Sequence, residues 1–219
     1  SNVMVVNMGL KSIRCIIFNH LGTKLGSAAI AINTAINDKC VEQEPAEWWE
    51  KAKKVMRKAY ADARVKKVDY VTVTTSASCL VCVDIEGEAI GKALMISDKR
   101  AEEEADWIAK LPEFEKVHKS TGLDMAVSLM LPKILWVKRK RPDIFDKTRY
   151  FLTPNDYLIY KLCGACVTDY LNATKYHYDL EEKKYPDALL RKMEISSKAF
   201  PEVVNTGEAV GRVYASLAQ

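Results

Sequence analysis

Residues Asn7 to Arg14, Asn-Met-Gly-Leu-Lys-Ser-Ile-Arg, place a glycine and two cations between two apolar runs, Val-Met-Val-Val before and Cys-Ile-Ile-Phe after. Two strands joined by a tight bend at Gly9 would gather backbone N–H groups beside Lys11 and Arg14, and such a bend can cradle a polyphosphate. Gly9, Lys11 and Arg14 are therefore candidate phosphate-binding residues. The same residues also fit a plain hairpin with two solvated cations, since one glycine is a weak signal.

The cysteines suggest a second chemistry. Four of the six form Cys-x-x-Cys pairs, Cys79/Cys82 and Cys163/Cys166. The pairs are about 80 residues apart, far more than the roughly 15–20 of a compact zinc site, so a shared metal would need a long-range pairing. Cys79 and Cys82 also lie in an apparent strand, where residues three apart point to opposite faces. Free, buried thiols in a reducing compartment are expected, with no bound metal. The basic run Lys138 to Arg141 follows Ile134, Leu135 and Val137 and reads as the solvated, cation-favouring end of an amphipathic helix. It is not read as a nucleic-acid patch.

Composition narrows the function classes. A chain of 219 residues with 48% hydrophobic and 28% charged residues has enough apolar content for a folded core, which excludes a disordered tract. The net charge of +4 comes from 33 basic and 29 acidic residues, too balanced to imply nucleic acid or an anionic membrane as partner. No apolar run approaches the roughly 20 residues of a membrane span, and no signal peptide is visible, so a cytoplasmic protein is expected. Ser1 and Asn2 are set aside as a candidate non-native leader.

The elements that must position these residues follow from pattern. Val3 to Ile32 reads as three short strands in a meander, followed by an amphipathic helix beginning near Pro45 with Trp48, Ala52, Val55, Met56, Ala59 and Tyr60 on one face. A buried strand, Val68 to Thr75, comes next, then a hairpin from Cys79 to Ile96 around Glu86-Gly87. The second half reads as mostly helical and is expected to pack on the sheet, with Thr153 capping and Pro154 starting one helix. No repeat, low-complexity tract or linker appears, so residues 1–219 are treated as one mixed α/β domain.

Three longer stretches carry a resemblance. Val41 to Ala52 (VEQEPAEWWEKA), Leu131 to Phe145 (LPKILWVKRKRPDIF) and Tyr150 to Tyr176 (YFLTPNDYLIYKLCGACVTDYLNATKY) resemble the N-terminal domain of the FGGY carbohydrate kinases, the xylulose, ribulose, gluconate and glycerol kinases. The resemblance runs nearly end to end. It implies a ribonuclease H-like fold of the actin, Hsp70 and hexokinase superfamily, and ATP-dependent phosphorylation of a sugar or polyol hydroxyl with ATP and Mg2+ as cofactors. Implied partners are the sugar, the protein's own C-terminal lobe and, in a homodimer, a second copy.

Within it, Asn7 to Arg14 falls on a phosphate motif that is usually Asp-x-Gly-Thr-x-x-x-Arg, and the resemblance makes Asn7, Gly9, Lys11, Ser12 and Arg14 the candidate phosphate- and nucleotide-binding residues. Gly9 and Arg14 match. Asn7 replaces an aspartate that helps hold magnesium and phosphates, and Leu10 replaces a hydroxyl; an amide keeps an acceptor oxygen without the charge and attracts a hard cation less. Where xylulose kinases have Gly-Gln-Met-His-Gly, this chain has Thr75-Ser76-Ala77-Ser78-Cys79, and Trp-Asn-Asp becomes Ile96-Ser97-Asp98. Ser76, Ala77, Ser78 and Asp98, with Ser97 beside them, are the candidate substrate-binding residues, because hydroxyls and carboxylates at strand ends suit a polyol. They also fit two turn serines and a helix N-cap. The family's general base, in a Gly-Gly-x-Asp segment, is expected beyond Gln219, as Thr206 to Gln219 resembles the stretch just upstream. No catalytic residue is therefore expected in this chain, Asp169 is read as structural, and the C-terminal nucleotide-binding lobe is expected to be absent. Two other readings stay open: a non-catalytic sugar-binding or regulatory homologue, and an iron–sulfur activator ATPase of the same superfamily.

Overall fold

The computed structural model describes residues 1–217. Strands β1 (Asn2–Met8), β2 (Ser12–Asn19) and β3 (Lys24–Ala31) form the expected antiparallel meander. A small hairpin of β4 (Ala35–Asn37) and β5 (Cys40–Gln43) leads into helix α1 (Pro45–Ala63), and β6 (Tyr70–Thr75) then joins β1 in parallel, giving the order β3-β2-β1-β6. Alternation sets the faces. Met4, Val6 and Met8 of β1 and Ile13, Cys15 and Ile17 of β2 are buried on one side, as a two-residue period requires. Trp48, Ala52, Val55 and Ala59 of α1 cover that side, whereas Tyr60 stays 40% exposed and Met56 lies at the margin. Asn2 is the first residue of β1 and bonds Asp69 and the Lys67 carbonyl, so it takes part in the fold from which sequence reasoning left it out.

The remaining elements are β7 (Val81–Val83), β8 (Ala93–Leu94), α2 (Glu102–Ala109), α3 (Pro112–Thr121), α4 (Met130–Lys140), α5 (Pro142–Phe145), β9 (Tyr150–Leu152), α6 (Pro154–Cys163), β10 (Val167–Asp169), α7 (Tyr170–Ala173), α8 (Asp187–Met193) and β11 (Glu202–Val204). They do not all pack on the sheet, as the pattern had suggested. Only α6 joins the sheet's core, through Tyr157 and Leu158; α2, α3, α4 and α8 enclose a second core. The antiparallel pair β7–β9 lies between the two, turning Val81, Val83 and Leu152 to one and Cys82 and Phe151 to the other. The expected long hairpin forms, with an irregularity in its second arm. Asp84 accepts the Glu86 and Glu88 N–H groups and closes the turn, and antiparallel bridges join Val83 to Ala89 and Leu80 to Leu94; between them Gly91, at φ +68°, interrupts the pairing, and β8 also pairs with β5 on its other edge.

Thr153 caps α6 and Pro154 opens its first turn, as expected, and Asp156 completes a capping box with Thr153. The basic run ends α4, and its charges have local partners: Lys138 with Glu194, Arg139 with Glu104 and Arg141 with Asp143. No helix among the described residues is long and apolar enough to cross a membrane.

All six cysteines are free, and Cys79 and Cys82 enter different cores. Burial pushes the Cys15, Cys79 and Cys82 thiols up to about 12, about 11 and about 12. No group of three His, Cys, Asp or Glu residues among those described could hold a metal ion. Thiol titration should therefore reach six equivalents only in denaturant, with these three silent in the native protein. Elemental analysis should find no stoichiometric zinc or iron; one equivalent that survives dialysis would contradict this.

Candidate functional site

The two halves of the candidate site meet at the carboxyl ends of neighbouring parallel strands. Asn7 is in register with Thr74 and Met8 with Thr75, so β1 and β6 end side by side, and the Ser76 N–H donates to the Met8 carbonyl at 3.0 Å. The bend after β1 and the loop after β6 thus leave the sheet together, at the kind of edge where α/β sheets place their ligands.

In the bend, Gly9 donates its N–H to the Ser12 carbonyl at 3.0 Å. This corrects the expectation that the Gly9 amide faces phosphate: that donor closes the turn, and the exposed tip is Leu10, 45% accessible, and Lys11. Asn7 sits directly opposite Arg14 on β2, both on the sheet face away from α1, because Met8, Ile13 and Cys15 alternate into the core. Ser12, two residues before Arg14, shares that face. Among the described residues neither Lys11 nor Arg14 has an acidic side chain within ion-pair distance, whereas most other cation positions near the site are paired.

Sequence reasoning missed the residue that anchors this bend. Gln43, buried at the end of β5, donates to the Leu10 carbonyl and the Thr34 hydroxyl, each at 2.8 Å, and accepts from the indole N–H of fully buried Trp48 at 2.8 Å. A glutamine shortly before a helix-starting Pro was the available signal, and it lies within the Val41 to Ala52 stretch that carries the family resemblance.

The loop after β6 leaves Ser76 and Ala77 half-buried and Ser78 buried, with Ser78 at φ +62°. The Thr75 hydroxyl donates to the Ser76 carbonyl at 3.1 Å. Lys133 of α4, also not singled out from sequence, reaches the Ser78 carbonyl at 2.7 Å. Asp98 needs correction. It is 1% exposed, and its carboxylate accepts from the Val41 N–H at 2.7 Å, the Arg100 N–H at 3.0 Å, and the Arg100 guanidinium at 2.9–3.1 Å. Those oxygens hold β5 and Arg100 and are not presented to a ligand. Nor does Asp98 cap α2, whose N-cap is Ala101 without a side-chain bond. Arg100 in turn pairs with Glu42 at 2.9 Å and stacks on Trp136 at 4.7 Å. Ser97 remains exposed. Asp169 caps α7 through the Asn172 N–H at 3.0 Å, a structural use.

A cavity of about 320 Å³ next to Arg100, lined also by Lys92, Trp136, Arg141 and Ile144, includes none of the candidate phosphate or sugar residues. Its charges are matched, Lys92 and Arg100 by Glu42 and Arg141 by Asp143.

The pattern that describes the N-terminal domain of the FGGY family of carbohydrate kinases matches residues 2–219. The chain belongs to that family. It is similar to the xylulose kinase of Staphylococcus xylosus, 22% identical over 213 residues, and to the glycerol kinase of Streptococcus pneumoniae, 26% identical over 221 residues. Each alignment covers 96% of this chain but 44% of the relative, so the chain spans less than half the length of these kinases. Among solved structures it resembles a xylulose kinase from Brucella ovis, with a TM-score of 0.93 at 21% identity over 100% of this chain and 45% of that one. It also resembles Plasmodium falciparum glycerol kinase with ADP, with a TM-score of 0.89 at 19% identity over 99% and 46%. At these identities the likeness establishes the fold, a mixed α/β sheet of the actin-like, ribonuclease H-like kind, in agreement with the meander.

Proposed function

We propose that this chain is the sugar-binding lobe of an FGGY kinase that transfers a phosphoryl group from ATP to a hydroxyl of a ketose or polyol. The observation that carries the reading is the meeting of the 7–14 bend and the 76–78 loop at the shared carboxyl edge of β1 and β6. Lys11 and Arg14, cations without acidic partners among the described residues, suit the phosphates of a nucleotide. The bend offers magnesium no carboxylate, only neutral oxygens such as the Asn7 amide, so a metal would be held chiefly by the nucleotide. Ser76 and Ala77, with the edge of Ser78, are the polyol side. A second lobe would supply the general base and the adenine wall, because phosphoryl transfer needs base, metal, nucleotide and acceptor in one cleft.

The 219-residue chain, given ATP, Mg2+ and a panel of ketoses and polyols, should release no ADP above background, whereas a natural form extended past Gln219 should. Turnover by the shorter chain would end this division of labour.

Asn7 and the exposed Leu10 favour a second reading, a sugar-binding or regulatory homologue without turnover. In the extended protein Asn7→Asp should tighten magnesium-nucleotide binding by about 1 kcal/mol, roughly the gain of a charge-assisted over a neutral contact. Arg14→Ala should weaken it. Nucleotide affinity with and without magnesium, at fixed salt, reports both; if neither variant differs from the parent, the bend is a plain hairpin and the regulatory reading takes over.

A further inference from the structure

We propose that Lys133 is a positioning residue, whose ammonium group clamps the loop after β6 in the shape a polyol would meet. The inference rests on the sugar-lobe reading above and gives it a structural device.

Lys133 has no exposed surface and lies on α4 among Met130, Leu131, Pro132, Ile134 and Leu135, all buried. Removing an ammonium group from water is unfavourable unless its partners compensate, and burial lowers the group from its usual value to about 8. A methionine would fill the same slot without that penalty. The partners explain what the lysine does. Its Nζ donates to the Ser78 carbonyl at 2.7 Å and to the Ser128 carbonyl at 2.6 Å, and Asp98 is the nearby carboxylate whose charge favours it.

Both carbonyls belong to segments without regular secondary structure, the connection from β6 to β7 and the approach to α4. One ammonium therefore ties together two loops that no strand ladder holds. Ser78 also has φ +62°, the left-handed region that favours glycine and that a serine adopts only under strain. A buried charge and a strained residue thus meet at one peptide, and neither adds apolar packing. What they secure is the conformation of residues 76–79, which start beside the phosphate bend through the Ser76-to-Met8 hydrogen bond. A site that recognises hydroxyl groups needs donors and acceptors fixed before the ligand arrives, and a backbone loop provides that only when it is held from behind.

The test begins with the unmodified chain. Nitrogen-15 spectra of its lysine ammonium groups should show one slowly exchanging signal, with proton contacts to residues 78–79 and 128–129; if no lysine ammonium is protected, the inference fails. This measurement stands even if a variant does not fold. In Lys133→Met, amide hydrogen exchange across 76–80 should accelerate at least tenfold while the β1 and β2 amides change by less than threefold. Equal acceleration everywhere, or none in the loop, would mean that Lys133 contributes only stability. Glycerol and D-xylulose are then titrated into both proteins while the amide resonances of 76–79 are followed. Affinity weakened at least tenfold in Lys133→Met supports the positioning role, and equal affinity overturns it. If neither polyol moves these resonances while the ammonium stays protected, the clamp stands and the sugar-lobe reading falls.

Discussion

Replacing Gly26 with alanine is expected to destabilise the chain by about 3 kcal/mol or more, at the upper end of overpacking in a close-packed core, and valine should prevent folding. A Cβ at this position would lie 2.4 Å from the Ala63 nitrogen, 2.6 Å from the Ala59 carbonyl oxygen and 2.7 Å from the Ala63 Cα. All three atoms are backbone of α1, so no side-chain rotation relieves the clash. The helix would have to move off β3, and a radial gap of about 0.5–1 Å already forfeits a quarter to a half of the dispersion energy of each contact. The contacts at risk are those of Trp48, Ala52, Val55 and Ala59 with Ile13, Cys15 and Ile17. Urea unfolding followed by circular dichroism should show a lower midpoint for Gly26→Ala with an unchanged slope. Gly22 supplies the contrast: with φ +76° and nothing within 4 Å of an added Cβ, its alanine variant should lose only about 1 kcal/mol, from conformation alone. A Gly26→Ala protein as stable as the parent would mean that α1 does not rest on β3 at this point.

Much of the sheet was legible because its signals are local. The two-residue alternation of β1 and β2, the Pro45 start of α1 and the Thr153–Asp156 capping box each need only a few neighbouring residues. Strands β4 and β5 were not legible, since three or four residues carry no period and their existence depends on pairing across the chain; β8 falls within the expected hairpin, but its second pairing, Leu94 with Glu42 and Ala93 with Gln43, could not be read. Periodicity showed that the later helices have apolar faces but not which core receives them. The site divides in the same way. Arg14 was found from the bend itself and Asn7 from the family motif the bend resembles, and their opposition across β1 and β2 follows from the hairpin register. That Asp98 turns inward could not be read, because the Val41 N–H that it accepts comes from another strand. Lys133 did leave a signal: a charged residue within Leu-Met-Leu-Pro-Lys-Ile-Leu-Trp, where the helix is apolar on nearly every side. The physical question is what could satisfy such a charge, and only the fold places the Ser78 and Ser128 carbonyls there.

The second large effect concerns Asp156. Its carboxylate is buried at the start of α6, with Oδ2 accepting the Thr153 N–H at 3.0 Å. Oδ1 and the buried Thr168 hydroxyl have no ordinary hydrogen-bond partner among the described residues, and a protonated carboxyl would gain an O–H to donate. Burial raises this group to about 7. His177 is shifted the other way: buried, with its ring against Phe114 at 5.6 Å, it is lowered by desolvation to about 4. The two act on stability with opposite signs. From about pH 4 to 7 the folded chain keeps a proton on Asp156 that the unfolded chain releases, so stability falls as pH rises, by at most about 1.4 kcal/mol per unit. Between about pH 4 and 6.5 the unfolded chain binds a proton on the His177 side chain that the folded chain refuses, so stability rises with pH at a similar slope. In the parent the contributions of these two groups therefore nearly cancel across that range. Asp156→Asn removes one slope and keeps an acceptor for the Thr153 N–H, so its stability should climb from pH 4 to 6.5. By pH 8 it should exceed the parent by about 2–4 kcal/mol, the upper figure being the full shift of roughly three pKa units. Exposed carboxylates contribute equally to both proteins and cancel in the difference. Urea midpoints at half-unit steps from pH 4 to 8 give that difference directly, and parallel profiles for the two proteins would show that Asp156 is ionised in the folded chain throughout.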